Sequence, residues 1–157
     1  MIISDSNKFI FIHIPKCGGT AVARMMTPLC EDGDAVPGIK KVPFREQEYP
    51  ALEKHSKADK LSEELPKKWD DYFVFTFVRN PYSRIVSWYT YAHRMYEDQP
   101  FGRKHFRYIY QLFDKPGMWR WPVFRAFLET DSFSDFIRHP DCFGDDGTNL
   151  QVNWLST

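Results

Sequence analysis

The chain has 157 residues, and its 21 basic and 21 acidic side chains cancel at neutral pH. With 43% hydrophobic residues it holds too much apolar material to be disordered over most of its length, and it falls within the roughly 100–200 residues of one domain. Three widely spaced cysteines argue against a secreted disulfide scaffold, and no apolar run approaches the ~20 residues of a membrane span.

The opening residues, Met1 to Asp5, lack the basic-then-apolar pattern of a leader, so the expected location is cytoplasmic. Phe9 to Ile14 is a β-branched and aromatic run, read as a strand buried on both faces. Pro15-Lys16-Cys17-Gly18-Gly19-Thr20 breaks it, and a short helix over 21–26 follows, stopping near Pro28. Residues 31–56 are polar and carry three prolines, which reads as a long excursion; a helix over 56–65 is ended by Pro66. Tyr72 to Val78 is a second apolar strand. Asn80 and Pro81 then suit the N-cap and first position of a helix running to about residue 97. Its apolar stripe is Ile85, Trp88, Tyr89 and Ala92. Further helices are expected over 103–113, 122–129 and 132–138, with an acidic loop over 140–149. Repeated strand–loop–helix units predict an α/β fold in a single domain over residues 1–157, with a parallel sheet flanked by helices.

Charge is unevenly spread. Residues 79–125 hold nine basic and three acidic side chains, whereas residues 126–157 hold Arg138 against six acids. Such a basic block suits an anionic ligand, and equally a set of solvated helix faces. Aromatic residues make up 17% of the chain, and those between 101 and 127 alternate with cations. That mixture fits a sugar-binding surface, single-stranded nucleic acid or a packed helical subdomain.

Two constellations carry chemistry. In the first, a glycine-containing turn between strand and helix aims backbone N–H groups and the helix dipole at one anion. Lys16 adds a charge, Thr20 a hydroxyl, and Gly18 and Gly19 allow close backbone approach. The string lacks the GxxxxGK[ST] order of a nucleoside-triphosphate loop and the GxGxxG order of a dinucleotide fold. In the second, Arg79 leaves the end of a strand and Ser87 lies about two helical turns further on. A guanidinium and a hydroxyl directed into one crevice would hold a second phosphate; the plainer reading is a strand-end arginine and a serine bonded within its helix.

Together, Phe11 to Thr20 and Phe77 to Tyr89 resemble the PAPS-dependent sulfotransferases, with the Golgi carbohydrate sulfotransferases and their bacterial relatives as the nearest branch. The resemblance covers roughly residues 9–92 and implies a P-loop-like three-layer fold. It also implies that Lys16, Cys17, Gly18, Gly19 and Thr20 hold the 5′-phosphosulfate side of PAPS (3′-phosphoadenosine 5′-phosphosulfate), while Arg79 and Ser87 hold the 3′-phosphate. Cys17 stands where Thr or Ala is frequent in the family. The implied reaction moves a sulfuryl group to a hydroxyl, with a carbohydrate as the expected acceptor, needs no metal, and releases adenosine 3′,5′-bisphosphate. Lys16 would stabilise the leaving phosphate. Relatives place a catalytic histidine in a similar interval before the second motif, which assigns the general base to His55; another histidine, or a carboxylate such as Glu46 or Glu48, is the fallback. His13, inside a strand, reads as a core residue, and His93, His105 and His139 as surface residues. The partner is then a small-molecule or glycan acceptor, with no nucleic acid and no integral membrane segment. Relatives usually continue beyond the last residues here, which reads either as a compact version of the fold or as a chain lacking C-terminal elements of the family. A nucleotide kinase and a non-catalytic nucleotide- or glycan-binding module remain as alternatives, separated by magnesium dependence and by PAPS turnover.

Overall fold

The computed structural model describes residues 1–30, 51–96, 121–143 and 150–156. They fall into two compact units, Met1–Arg79 with Gln151–Thr157, and Asn80–Leu150.

The first unit is built on a three-stranded sheet of order β1-β2-β3, with β1 at Ile2–Ser4, β2 at Phe9–Ile12 and β3 at Phe73–Thr76. β2 and β3 are parallel, pairing Phe9 with Phe73 and Ile12 with Thr76. β1, which nothing in the sequence pattern announces, pairs antiparallel with β2, so the sheet is mixed rather than wholly parallel. Three residues are too few to show a period. Helix α1 (Gly19–Met26) covers one face, packing Ala23, Val22 and Met26 on Ile2, Phe9, Phe11 and Phe75. Helix α2 (Ala58–Glu64) covers the other, with Ala58, Leu61 and Leu65 against Met1, Ile3, Ile10 and Ile12. This alternation follows from the two-residue period of a strand, and it makes three layers.

Pro66 ends α2 as expected, but it also begins a helix absent from the sequence-based expectation, α3 (Pro66–Asp71), by occupying its first position. The Asp5 carboxylate accepts hydrogen bonds from Lys68 at 2.7 Å and from the Tyr72 hydroxyl at 2.8 Å, tying the β1–β2 turn to the entrance of β3. β3 is more exposed than its apolar sequence suggests: Phe73 is 71% exposed, and Phe77, just beyond the strand, 50%. Among the described residues β3 has only β2 beside it, so half of its aromatic face lies beyond the reach of α1.

The second unit is helical. Helix α4 (Pro81–Tyr96) starts where Asn80 caps it, its Oδ1 accepting from the N–H groups of Tyr82 at 3.0 Å and Ser83 at 3.2 Å. Its buried residues are Arg84, Trp88, Ala92 and Tyr96: Trp88 and Ala92 are buried as expected, while Ile85 and Tyr89 of the expected stripe are half-buried beside them. Trp88, Ala92 and Tyr96 pack on α5 (Pro122–Glu129) and on Phe136 of α6 (Phe133–Arg138). Ser132 caps α6 through a bond from the Asp135 N–H at 3.1 Å. Phe124 and Phe127 are fully enclosed and Trp121 packs on Trp88 at 5.4 Å between ring centroids. This end of the aromatic stretch is therefore core, each such ring contributing on the order of 1.5–3 kcal/mol by burial. Residues 31–50 with Glu46 and Glu48, the expected helix over 103–113 with His105, and most of the acidic loop lie outside the described residues.

Candidate functional site

Parallel pairing of β2 and β3 brings their carboxyl ends to the same edge of the sheet, where α/β folds gather ligands. The chain leaves β2 through His13 and Ile14, turns at Pro15–Gly18, and enters α1 at Gly19. Two features shape the turn. The Cys17 N–H donates to the Ile14 carbonyl at 3.3 Å, and both Lys16 (φ 62°) and Gly18 (φ 81°) adopt the left-handed conformation. Gly18 suits that conformation at no steric cost, whereas Lys16 holds it with a side chain attached.

Gly19 is needed for a different reason. A Cβ placed on it would stand 2.0 Å from Cδ2 and 2.1 Å from Nε2 of His13, so the imidazole occupies the volume that any side chain would fill. His13 is 6% exposed and stacks on Phe11, as expected of a core residue, and it is also the surface on which the loop rests. Over Gly18 the space is open, with nothing within 4 Å of the point where a Cβ would stand. The loop is thus supported from below and open above. The N–H groups of the first turn of α1 belong to a helix N-terminus, the polarity that attracts an anion.

His55 meets His13 edge-on, with ring centroids 4.5 Å apart. Its Nδ1 lies 2.8 Å from the His13 carbonyl oxygen. A carbonyl only accepts, so Nδ1 carries the proton and the lone pair of the neutral ring is on Nε2. Burial, and secondarily the N-terminal amine and Lys54, lower the His55 pKa to about 4 against the opposing bond to the His13 carbonyl. Burial first, then the N-terminal amine, His55 and Lys54, push His13 down to about 2. Both rings are neutral at pH 7. A neutral imidazole with its lone pair on Nε2 is chemically fit to take a proton from a hydroxyl.

Arg79 closes this unit at the end of the chain segment that follows β3. Its guanidinium Nη1 donates to the Lys16 carbonyl at 3.4 Å, which brings the arginine beside the glycine turn. Lys16, Cys17, Gly18, Gly19, Thr20, His55 and Arg79 all belong to the first unit, while Ser87 is half-buried on α4 in the second. Of the other histidines, His93 is exposed on α4 and His139 bonds Glu129 at 3.0 Å, a structural contact.

Sequence reasoning misses Gln151 and Trp154. They belong to a single 3-10 turn, Gln151–Trp154, packed against this same edge. The Gln151 Oε1 accepts from the Arg79 N–H at 2.7 Å and from the Cys17 thiol at 3.0 Å, and its Nε2 donates to the Arg79 carbonyl at 2.6 Å. Trp154 is buried with Ile14 and Cys17. Contacts spanning 134 residues leave no local pattern by which to find them.

Among the described residues no three His, Cys, Asp or Glu side chains converge to hold a metal ion, and no helix is long and apolar enough to cross a membrane. A family model described as Sulfotransferase family matches residues 1–141. No curated protein and no solved structure matches the chain. With about nine-tenths of its length covered by that match, the chain belongs to the sulfotransferase family, and its chemistry is the transfer of a sulfuryl group.

Proposed function

We propose that this protein transfers the sulfuryl group of PAPS to a hydroxyl of a carbohydrate, releasing adenosine 3′,5′-bisphosphate. The observation that carries the reading is the juxtaposition, at one sheet edge, of an open glycine turn, the Arg79 guanidinium and a neutral His55. A phosphosulfate group fits such a turn, because the space over Gly18 is open and the helix start beneath it favours negative charge. PAPS, when bound, supplies the activated sulfuryl group. Lys16 steadies the charge that develops on the leaving phosphate, and Thr20, in the first turn of α1, adds a hydroxyl donor. His55 accepts the acceptor's proton at Nε2, held in the correct tautomer by the His13 carbonyl. Arg79 grips the 3′-phosphate, and the family resemblance assigns Ser87 to the same group. The whole chain acts as one functional domain on a glycan acceptor.

The test is a comparison of two nucleotides by thermal shift. Adenosine 3′,5′-bisphosphate is expected to raise Tm well beyond AMP, since only the bisphosphate carries the 3′ group. Arg79→Ala is expected to erase most of that difference while leaving AMP unaffected. Equal shifts from the two ligands on the unaltered protein would overturn the reading.

A further inference from the structure

The geometry points to the Gln151–Trp154 turn as a clip that sets the glycine turn, Arg79 and His55 in register, with Gln151 as the positioning residue for Arg79. Its nucleotide consequence rests on the PAPS reading above. The primary amide of Gln151 bonds both the N–H and the C=O of Arg79, at 2.7 and 2.6 Å. That is the pairing a neighbouring β-strand would supply, and it reaches Arg79 beyond the point where β3 stops at Thr76. One side chain thus fixes the peptide planes on either side of Arg79, and so the direction in which its guanidinium leaves the backbone. The same Oε1 accepts from Cys17, so the loop and the strand end share one acceptor.

Trp154, 4% exposed, anchors the clip. Its indole is buried against Ile14 and Cys17, meets His55 edge-on at 6.4 Å between centroids, and has the Lys57 ammonium 5.9 Å from its ring centroid. Each of the three groups assigned a role in this unit, the loop, the arginine and the histidine, is therefore touched by a residue of one four-residue turn. Gln151 itself need not touch a ligand. Its action is through Arg79.

Two readouts test this. The first is the alkylation rate of Cys17 by iodoacetamide, read by peptide mass spectrometry with Cys142, buried in the second unit, as the internal control for folding. The second is the preference for adenosine 3′,5′-bisphosphate over AMP. Gln151→Ala is expected to speed Cys17 alkylation about tenfold, with Cys142 unchanged. The bisphosphate preference is expected to fall about tenfold, the loss that one or two hydrogen bonds imply. Gln151→Glu keeps both acceptor bonds but loses the donation to the Arg79 carbonyl. It is expected to leave Cys17 slow while still lowering the preference. Unchanged Cys17 reactivity in the alanine variant overturns the clip; faster alkylation with the preference intact reduces Gln151 to a brace and overturns its positioning role. If the alanine variant exposes all three cysteines, it has unfolded, and the glutamate variant decides. An unaltered protein with no bisphosphate preference overturns the PAPS reading instead, and the alkylation arm still decides the clip.

Discussion

Two corners at the same sheet edge are made in opposite ways. After β2, the chain is shaped by its own backbone: Lys16 and Gly18 take positive φ, and Gly19 packs against the His13 ring. After β3, no described residue from Phe77 to Pro81 has positive φ, and side-chain amides define the path instead: Gln151 on Arg79 and Asn80 on the start of α4. Each corner is therefore vulnerable in its own way. A corner made by steric fit fails when volume is added, whereas one made by hydrogen bonds weakens in steps as partners are removed.

The largest effect is expected beneath the first corner. His55→Ala should bind adenosine 3′,5′-bisphosphate normally and lose about 10²–10⁴ in turnover, the usual share of a general base. The sign of the pH dependence follows from the lowered pKa. The neutral ring is the active form, so the rate should hold through pH 6 and fall as pH drops through about 4. An acid limb near the unperturbed value of about 6.5 would mean that the ring works in water, not against His13.

Next comes Lys16, the charged residue in the backbone-built corner. Lys16→Ala should cost on the order of 10²–10³ in turnover and much less in bisphosphate affinity, because the contact strengthens as charge develops on the leaving group. Equal losses in both would place Lys16 in ground-state binding only.

The two glycines then separate volume from conformation. Gly19→Ala should destabilise the protein by about 1–3 kcal/mol, read from the denaturant midpoint, as the added methyl forces His13 or the loop to move. Gly18→Ala meets no neighbour and loses only what its positive φ costs, about 1–2 kcal/mol. A Gly19→Ala variant as stable as the unaltered protein would mean that the loop does not rest on His13.

The smallest effect belongs to the second corner. Asn80→Ala removes the cap of α4 and should cost about 1 kcal/mol in stability, with Asn80→Asp restoring most of it. A loss several times larger would show that this corner, too, is all-or-none.

What can be read from the sequence is what local chemistry writes in short strings. The β2–turn–α1 unit is legible because β-branched residues, a proline and paired glycines follow one another within a dozen positions. Asn80-Pro81 announces α4 because a cap and a first-turn proline act on their own neighbours. His55 is placed by resemblance alone; its lone pair on Nε2 depends on the His13 carbonyl, 42 residues away. β1 is too short to carry a period, and α3 is hidden because a proline that stops one helix can equally start the next. The exposure of β3 cannot be read either, since an apolar run records what a strand can bury and not how many neighbours it has. Gln151 is invisible because its partners sit 72 and 134 residues away.

The contact between Gly19 and His13 also bears on how this sequence can vary. The two positions share one volume, so the cost of a substitution at either depends on the other: a methyl at 19 that must displace an imidazole costs less where a smaller side chain stands at 13. Changes there are epistatic. A relative that carries alanine in place of the second glycine should carry something smaller than histidine six residues earlier, and a lineage moving between the two states passes at least cost through the smaller residue at 13.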